Sequence, residues 1–439
     1  MNRIENNNLV KTLSENNQSD DLVLSRRHRP DYQIILFMGL LMLMGLIIIY
    51  AIGPQRANVL NNAYGSDYTD TYFFIKQAAS LLLAITAFAV AAFIPFKAMA
   101  KHAKNILLVA LGLCVLLAIA SFANMGIAQE TLGATRWFNL GILGSFQPSE
   151  VLKFALLIFL SMFLGNKIRR GKLNSLKETL IPLAVIYAIS MFFVVILQKD
   201  LGTGLALTGI ILVMLFVGKI NFKNGLIIFA SLAVVGSGMV ISAPHRMERI
   251  MTFFQGDSSS LSINDDDNYH VEHAKLAIGT GGLFGVGVGN SIQATGYLPE
   301  AINDSVFAII GETFGFVGLI VLLLLFASLL MRLLKMLDHL DDVRLKLIIA
   351  GIFGWISAHV MLNVASMTGL VPLTGITLPL LSFGGTSMLF IAAALGLAFQ
   401  LSRYTVHSLN LKEAQYEDSS SRRGIGRSRY SSRSGFRRN

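Results

Sequence analysis

Charged residues are scarce in this chain. Asp, Glu, Lys and Arg together supply 14% of its 439 residues, where a water-soluble domain carries about a quarter. Hydrophobic residues supply 54%, so the polar surface that keeps a chain of this size in water is missing. Cysteine is nearly absent. The single Cys114 lies in an apolar run, which excludes an intramolecular disulfide and a zinc-finger site. No apolar stretch follows closely on Met1; residues 1–33 are polar, with five basic and five acidic side chains, and no cleavable signal peptide is expected. The apolar runs lack period-2 alternation, and no repeat recurs at a solenoid period. Acidic residues are missing from Ser419 to Asn439, which holds seven Arg. The net charge of +10 falls to +3 without those seven, so the basicity belongs to a tail and no nucleic-acid partner is expected. What remains is a membrane protein.

What the sequence does contain is a series of long apolar runs. The first, Ile34 to Gly53, has 20 residues without a charge, enough to cross a hydrocarbon core of about 30 Å. Others read at 78–96, 106–122, 149–166, 180–197, 201–218, 225–243, 305–331, 347–368 and 378–401. Their backbone polar groups must be satisfied within each segment, which requires helices. The expected fold is therefore an all-α integral membrane protein of ten transmembrane helices. With both termini cytoplasmic, 28 of the 36 Lys and Arg fall on the inner side, as the positive-inside rule demands. The expected organisation is a cytoplasmic N-terminal segment, 1–33; a membrane domain, 34–402; and a cytoplasmic Arg/Ser-rich disordered tail, 403–439. The tail reads as an electrostatic tether to anionic lipid. A large outer loop, 244–303, joins helices 7 and 8, and such length usually serves a function.

Four features of this chain could carry chemistry. Gly279 to Gly289 superficially resembles a phosphate-binding loop, but no strand precedes it and no Gly-Lys-Ser/Thr follows. It is expected to pack backbone closely, as glycine permits. His270 and His273 share a helical face near Asp265-Asp266-Asp267, yet spacing supplies no third metal ligand, and a hydrated loop is expected there. Charges within apolar spans are costly and by default point to function. Glu150 and Lys153 stand three apart near the outer end of the fourth span and can pair. Glu312 lies in the eighth span, and His359 and Asn363 lie four apart in the ninth, where a buried bonding set is as good a reading as function. Asp304 opens the eighth span, as a helix N-cap or as a general base at a cavity rim. Glu300, one turn earlier, could tune it by like charge.

These residues resemble the SEDS family of peptidoglycan polymerases, the RodA/FtsW group, from Asp31 to about Tyr404. Gly133-Ala-Thr-Arg-Trp137 is followed by Gln147-Pro-Ser-Glu150 and Lys153, then by Gln198-Lys-Asp-Leu-Gly-Thr203. Leu298-Pro-Glu-Ala-Ile-Asn-Asp304 leads to Phe307 and Gly311-Glu312. Asn363, Gly369, Pro372, Gly375, Leu378-Pro379 and Ser382-Phe-Gly-Gly-Thr-Ser387 complete the series. The chain departs from the family pattern at Lys199, Ile302, Asn303 and Ser305, and His270 and His273 stand where a Gln pair is usual. The Leu-Pro-Glu-Ala form looks closer to FtsW, the division branch.

The resemblance implies glycosyl transfer between lipid II molecules on the outer face of the cytoplasmic (inner) membrane, in cell division. The acceptor's C4 hydroxyl would attack the donor's anomeric carbon with inversion, and undecaprenyl pyrophosphate would leave. Asp304 would be the base. Among the outer-side cations Arg136, Lys153, Arg246 and Arg249, the first two match motif positions and would meet the pyrophosphate. Glu150 and Asp200 would orient those cations, and Trp137 would stack on sugar or mark the interface. Gln147, Ser149 and Glu300 complete the expected substrate site. No metal site is assigned, although a divalent cation would suit a pyrophosphate leaving group. The implied partners are a class B penicillin-binding protein acting as transpeptidase, other divisome proteins and the membrane. A lipid II flippase and a noncatalytic scaffold for a transpeptidase are the alternatives; the outer clustering of charges disfavours the first, and the departures around Asp304 sustain the second.

Overall fold

The structure, a computed structural model, describes residues 29–131, 134–139, 141, 144–228, 230 and 265–405. Within these it is helical. The helices are α1 (Tyr32–Tyr64), α2 (Tyr72–Phe93), the short α3 (Phe96–Lys101), α4 (Ala103–Phe122) and α5 (Pro148–Arg169). They continue with α6 (Leu176–Leu197), α7 (Leu201–Val217), α8 (Asp265–Thr280), α9 (Val306–His339), α10 (Val343–Met367) and α11 (Gly385–Leu401). Eight of them are long and apolar enough to cross a membrane, and α7 is a shorter apolar helix. The predicted span 225–243 lies largely outside the described residues, as do Arg246, Arg249 and the tail.

Enclosure differs among the helices. The apolar windows of α10 and α11 are 67% and 72% buried, against 28% in α2, α4 and α9, so the first two form the centre and the others face outward. α10 touches α5, α7, α9 and α11, with Trp355 fully buried at its middle. Everything that converges on α10 can therefore be positioned by one rigid element.

Four boundaries differ from the sequence expectation. α1 continues eleven residues beyond Gly53, through Pro54, before Gly65 ends it in the left-handed region. The last helix starts at Gly385, not at residue 378, because Pro379 lacks an N–H, Leu380 has φ 65° and Gly384 is extended. The fold is not purely helical: β1 (Ala128–Thr131), β2 (Ala134–Asn139) and β3 (Ser145–Phe146) form an antiparallel sheet in the order β1-β2-β3, where only a loop was expected. Finally, residues 265–280 are a helix packed on α9, not a hydrated loop.

The glycine-rich stretch docks against α9. Val286 and Gly287 donate to the carbonyls of Glu312 and Thr313, while Phe316 and Val317 donate to those of Gly282 and Leu283. The exchange is possible because Gly315 breaks the helix with φ 67° and ψ −164°, a conformation that L side chains avoid.

Candidate functional site

Asp304 ends a turn anchored by the buried side chains of Leu298, Ala301 and Ile302, and α9 begins two residues later. It is not the helix cap. Ser305 holds that position and makes no capping bond; its hydroxyl instead contacts Pro299 and His270. Asp304 is only 7% exposed. Its main chain is held from α10, where Asn363 Nδ2 donates to the carbonyls of Asp304 and Ile376, both at 2.7 Å. Two carbonyls can only accept, so the amide orientation is settled by its surroundings. A Cβ built on Gly375 would lie 4.0 Å from Asp304 Oδ2, which sets the carboxylate beside the bare backbone of the 369–384 segment.

One turn earlier on α10, His359 joins a second group of charges. Lys153 Nζ lies 2.8 Å from Glu150 Oε1 and 3.2 Å from His359 Nε2, with the Trp355 ring centroid 5.0 Å away. Trp355 Nε1 also donates to His359 Nε2, at 3.2 Å. An ammonium and an indole N–H both donate, so Nε2 accepts twice and the ring proton sits on Nδ1, which faces the Thr377 carbonyl at 3.4 Å. Lys153 is 0% exposed. The sequence expectation sets this cation against a pyrophosphate; in the structure its ammonium is enclosed and engaged by Glu150 and His359. Glu150 forms an ion pair with it, and its other oxygen, Oε2, has no hydrogen-bond partner among the described residues.

The remaining predicted residues mostly build walls. Arg136, on β2, donates from Nε to the Gln198 carbonyl at 3.3 Å and from a terminal nitrogen to the Lys199 carbonyl at 2.8 Å. It holds the 198–199 turn, where Lys199 has φ 52°, and its guanidinium carbon lies 5.9 Å from the half-buried Trp137 ring. Among the described residues Asp200 pairs with no cation. It caps α7, accepting from Thr203 N at 2.9 Å and Thr203 Oγ1 at 2.7 Å, and Gln147 Nε2 reaches it at 3.1 Å. Ser149 is fully buried in the first turn of α5, and its hydroxyl has no partner among the described residues. Glu300 is exposed and accepts from the Asn303 amide, so its carboxylate is directed at Asn303.

Residues from separate predicted spans thus form one connected set. Glu150, Lys153, His359 and Asn363 run to the Asp304 main chain, through α10 and the carbonyls of 376 and 377. Sequence reasoning missed Trp355 and left His359 and Asn363 undecided; their spacing of four, one helical turn, was the available signal. It also missed that Glu312 is an anchor: its carboxylate accepts from Ser291 Oγ at 2.5 Å, Ile292 N at 2.9 Å and Gln293 N at 3.2 Å. Among the described residues no group of three or more His, Cys, Asp or Glu gathers in a way that could hold a metal.

Comparison with known proteins follows the same boundaries. Residues 31–407 match the FtsW, RodA and SpoVE family, described as cell cycle protein. Stage V sporulation protein E of Bacillus subtilis is 32% identical over 389 residues, 87% of this chain and 99% of the relative. A probable peptidoglycan glycosyltransferase FtsW of Nitrosomonas europaea is 30% identical over 377 residues, 85% of this chain and 93% of the relative. One chain of a solved peptidoglycan synthase complex, described as coordinating polymerization and crosslinking, superposes with a TM-score of 0.64 at 23% identity. That match spans 85% of this chain and 98% of the other, and it speaks for the fold.

Proposed function

The chain belongs to the FtsW, RodA and SpoVE family, and from that membership we propose that it is a peptidoglycan glycosyltransferase polymerising lipid II. Asp304 is the general base. It takes the proton of the acceptor's C4 hydroxyl as the oxygen bonds to the donor's anomeric carbon from the opposite face. The bond to the leaving phosphate breaks with its electron pair, and undecaprenyl pyrophosphate departs. The observation that carries this reading is the placement of Asp304: a nearly enclosed carboxylate whose main chain is pinned to α10 by Asn363, as a group that must meet a reacting hydroxyl needs to be. Arg136 supplies the more exposed cation for the pyrophosphate, and Trp137 an apolar face for sugar. Lys153, paired with Glu150 and bonded to His359, ties α5 to α10 behind the site. Gln147, Ser149 and Asp200 hold the heads of α5 and α7, and Glu300 steadies the Asp304 turn through Asn303.

The reaction is assigned to the outer face of the cytoplasmic membrane, with ten spans. Asp31 N donates to Ser402 Oγ at 2.8 Å, so the described helices begin and end on one face, which supports an even number of crossings. Eight long spans and α7 leave one to be supplied, and the apolar run 225–243 is the candidate. The basic residues put the shared face inside. FtsW-named relatives support a division role, and the likeness to a chain of a polymerization and crosslinking complex supports a transpeptidase partner of the penicillin-binding class.

The test is incubation of purified lipid II with the protein reconstituted in liposomes, alone and with its transpeptidase. Glycan chains are expected. Transfer of lipid II across the bilayer without any chain formation would replace this reading with the flippase; neither activity, with the transpeptidase present, would leave the scaffold.

A further inference from the structure

Ser305 follows Asp304 directly, and its hydroxyl has two partners. It donates to the Pro299 carbonyl at 2.9 Å and meets His270 Nε2 at 2.6 Å. A hydroxyl has one hydrogen and a carbonyl only accepts, so both contacts are hydrogen bonds only when His270 donates from Nε2. Ser305 is fully buried and His270 nearly so, which makes each contact costly to lose. The same turn is closed by Ser305 N and Asn303 N, which both donate to the Glu300 carbonyl, at 3.3 Å and 2.9 Å. One helical turn along α8, His273 Nδ1 bonds Gln293 Oε1 at 2.7 Å, and the Gln293 backbone is tied to Glu312. α8 therefore presents two imidazoles on one face, one gripping the segment before the turn and one gripping the turn itself.

We propose that His270 is a positioning residue for Asp304: through the Ser305 hydroxyl it clamps the 299–305 turn and thereby fixes the direction of the carboxylate. Asn363 holds the carbonyl of Asp304 from α10, and His270 holds the side chain of the next residue from α8, so the link from the base into α9 is tied to two different helices. The proposal rests on the reading of Asp304 as base.

The test uses the full-length protein in nanodiscs and has two arms. In the kinetic arm, His270→Leu and Ser305→Ala each lower kcat about ten- to a hundredfold, in line with misplacement of a reacting group by a fraction of an ångström, while KM for lipid II holds. His270→Gln, which keeps an N–H donor at similar reach, restores most of that loss, and the His270→Leu/Ser305→Ala double variant is no worse than the worse single. In the second arm, amide hydrogen exchange across 299–308 accelerates in His270→Leu and Ser305→Ala but not in His270→Gln, with 385–401 unchanged as the internal control. Ser305→Ala removes one oxygen and keeps the test open if the leucine variant does not fold. Wild-type kcat in Ser305→Ala, an equal loss in the glutamine variant, or unaltered exchange at 299–308 overturns the proposal. If the wild-type protein forms no glycan, the polymerase reading falls, and the exchange arm alone decides the clamp.

Discussion

Asn363 is buried and gives both hydrogens of one amide to the carbonyl oxygens of Asp304 and Ile376, each at 2.7 Å. Asp has the same shape but would set an oxygen against both. Asn363→Asp is expected to destabilise the protein by about 2–5 kcal/mol, as two buried acceptors lose their donor, and to remove activity at temperatures where the fold survives. Thermal unfolding in detergent measures the first, and chain synthesis below the midpoint the second. The Lys153 pair makes a different prediction. Lys153→Met strands the Glu150 carboxylate in an enclosed site, at a cost of about 3–5 kcal/mol. The Glu150→Gln/Lys153→Met double variant should recover much of that stability, and a double variant as unstable as the sum of both singles would contradict the coupling. The sequence made Glu150 and Lys153 visible as charges within an apolar run. It could not show that Lys153 faces inward, because exposure depends on α10, which is distant in the chain.

At the scale of elements, the break in α9 and the glycine stretch explain each other. Gly285 has φ 82°, and an added Cβ would collide with the Thr313 carbonyl of α9. Gly279, by contrast, has open space at its Cβ position and closes α8. Gly285→Ala should therefore cost about 3 kcal/mol or more through strain and displacement of backbone, whereas Gly279→Ala is neutral or gains up to about 1 kcal/mol of helix propensity. Comparable thermal midpoints for the two variants would refute the docking. The sequence had already separated this stretch from nucleotide loops, since neither a strand nor a Gly-Lys-Ser/Thr accompanies it. Its partner was not legible. Nothing local to Gly315 marks it as a kink, because the unpaired amides and carbonyls there find partners 26 or 34 residues earlier in the chain. The small sheet at β1–β3 was hidden for a similar reason: its strands are short, and their pairing is set by the hairpin, not by a strong pattern.

Over the whole molecule, low charge density was the most informative feature, and its counterpart is the near absence of cysteine. The only cysteine, Cys114, is buried in α4, so single cysteines introduced elsewhere can be labelled against a quiet background. Ser420→Cys should react with a membrane-impermeant maleimide only after the cells are opened, and Ser259→Cys should react in intact cells. Equal labelling of both in intact cells would break the inside-termini topology. The helix series was readable because apolar length is a local property: nine of the ten expected spans fall on the helices α1, α2, α4–α7 and α9–α11, and the tenth begins with helical residues 225–228. Arrangement was not, because which helices surround α10 depends on packing of faces that carry nearly uniform hydrophobicity. The candidate site lies across that arrangement. Motif residues from α5, α7, α9 and α10 come together only once α10 is central, and Arg136 and Asp200 then turn out to brace the site's walls.

The central claim is that Asp304 is the base of a glycan-forming reaction. It is tested most directly by the rate of chain formation from purified lipid II with the reconstituted protein and its Asp304→Asn variant, both checked for equal thermal midpoints. Loss of a positioned general base predicts a fall of about 10²- to 10⁴-fold in kcat for a variant that still folds. Chain formation by Asp304→Asn at the wild-type rate would contradict it.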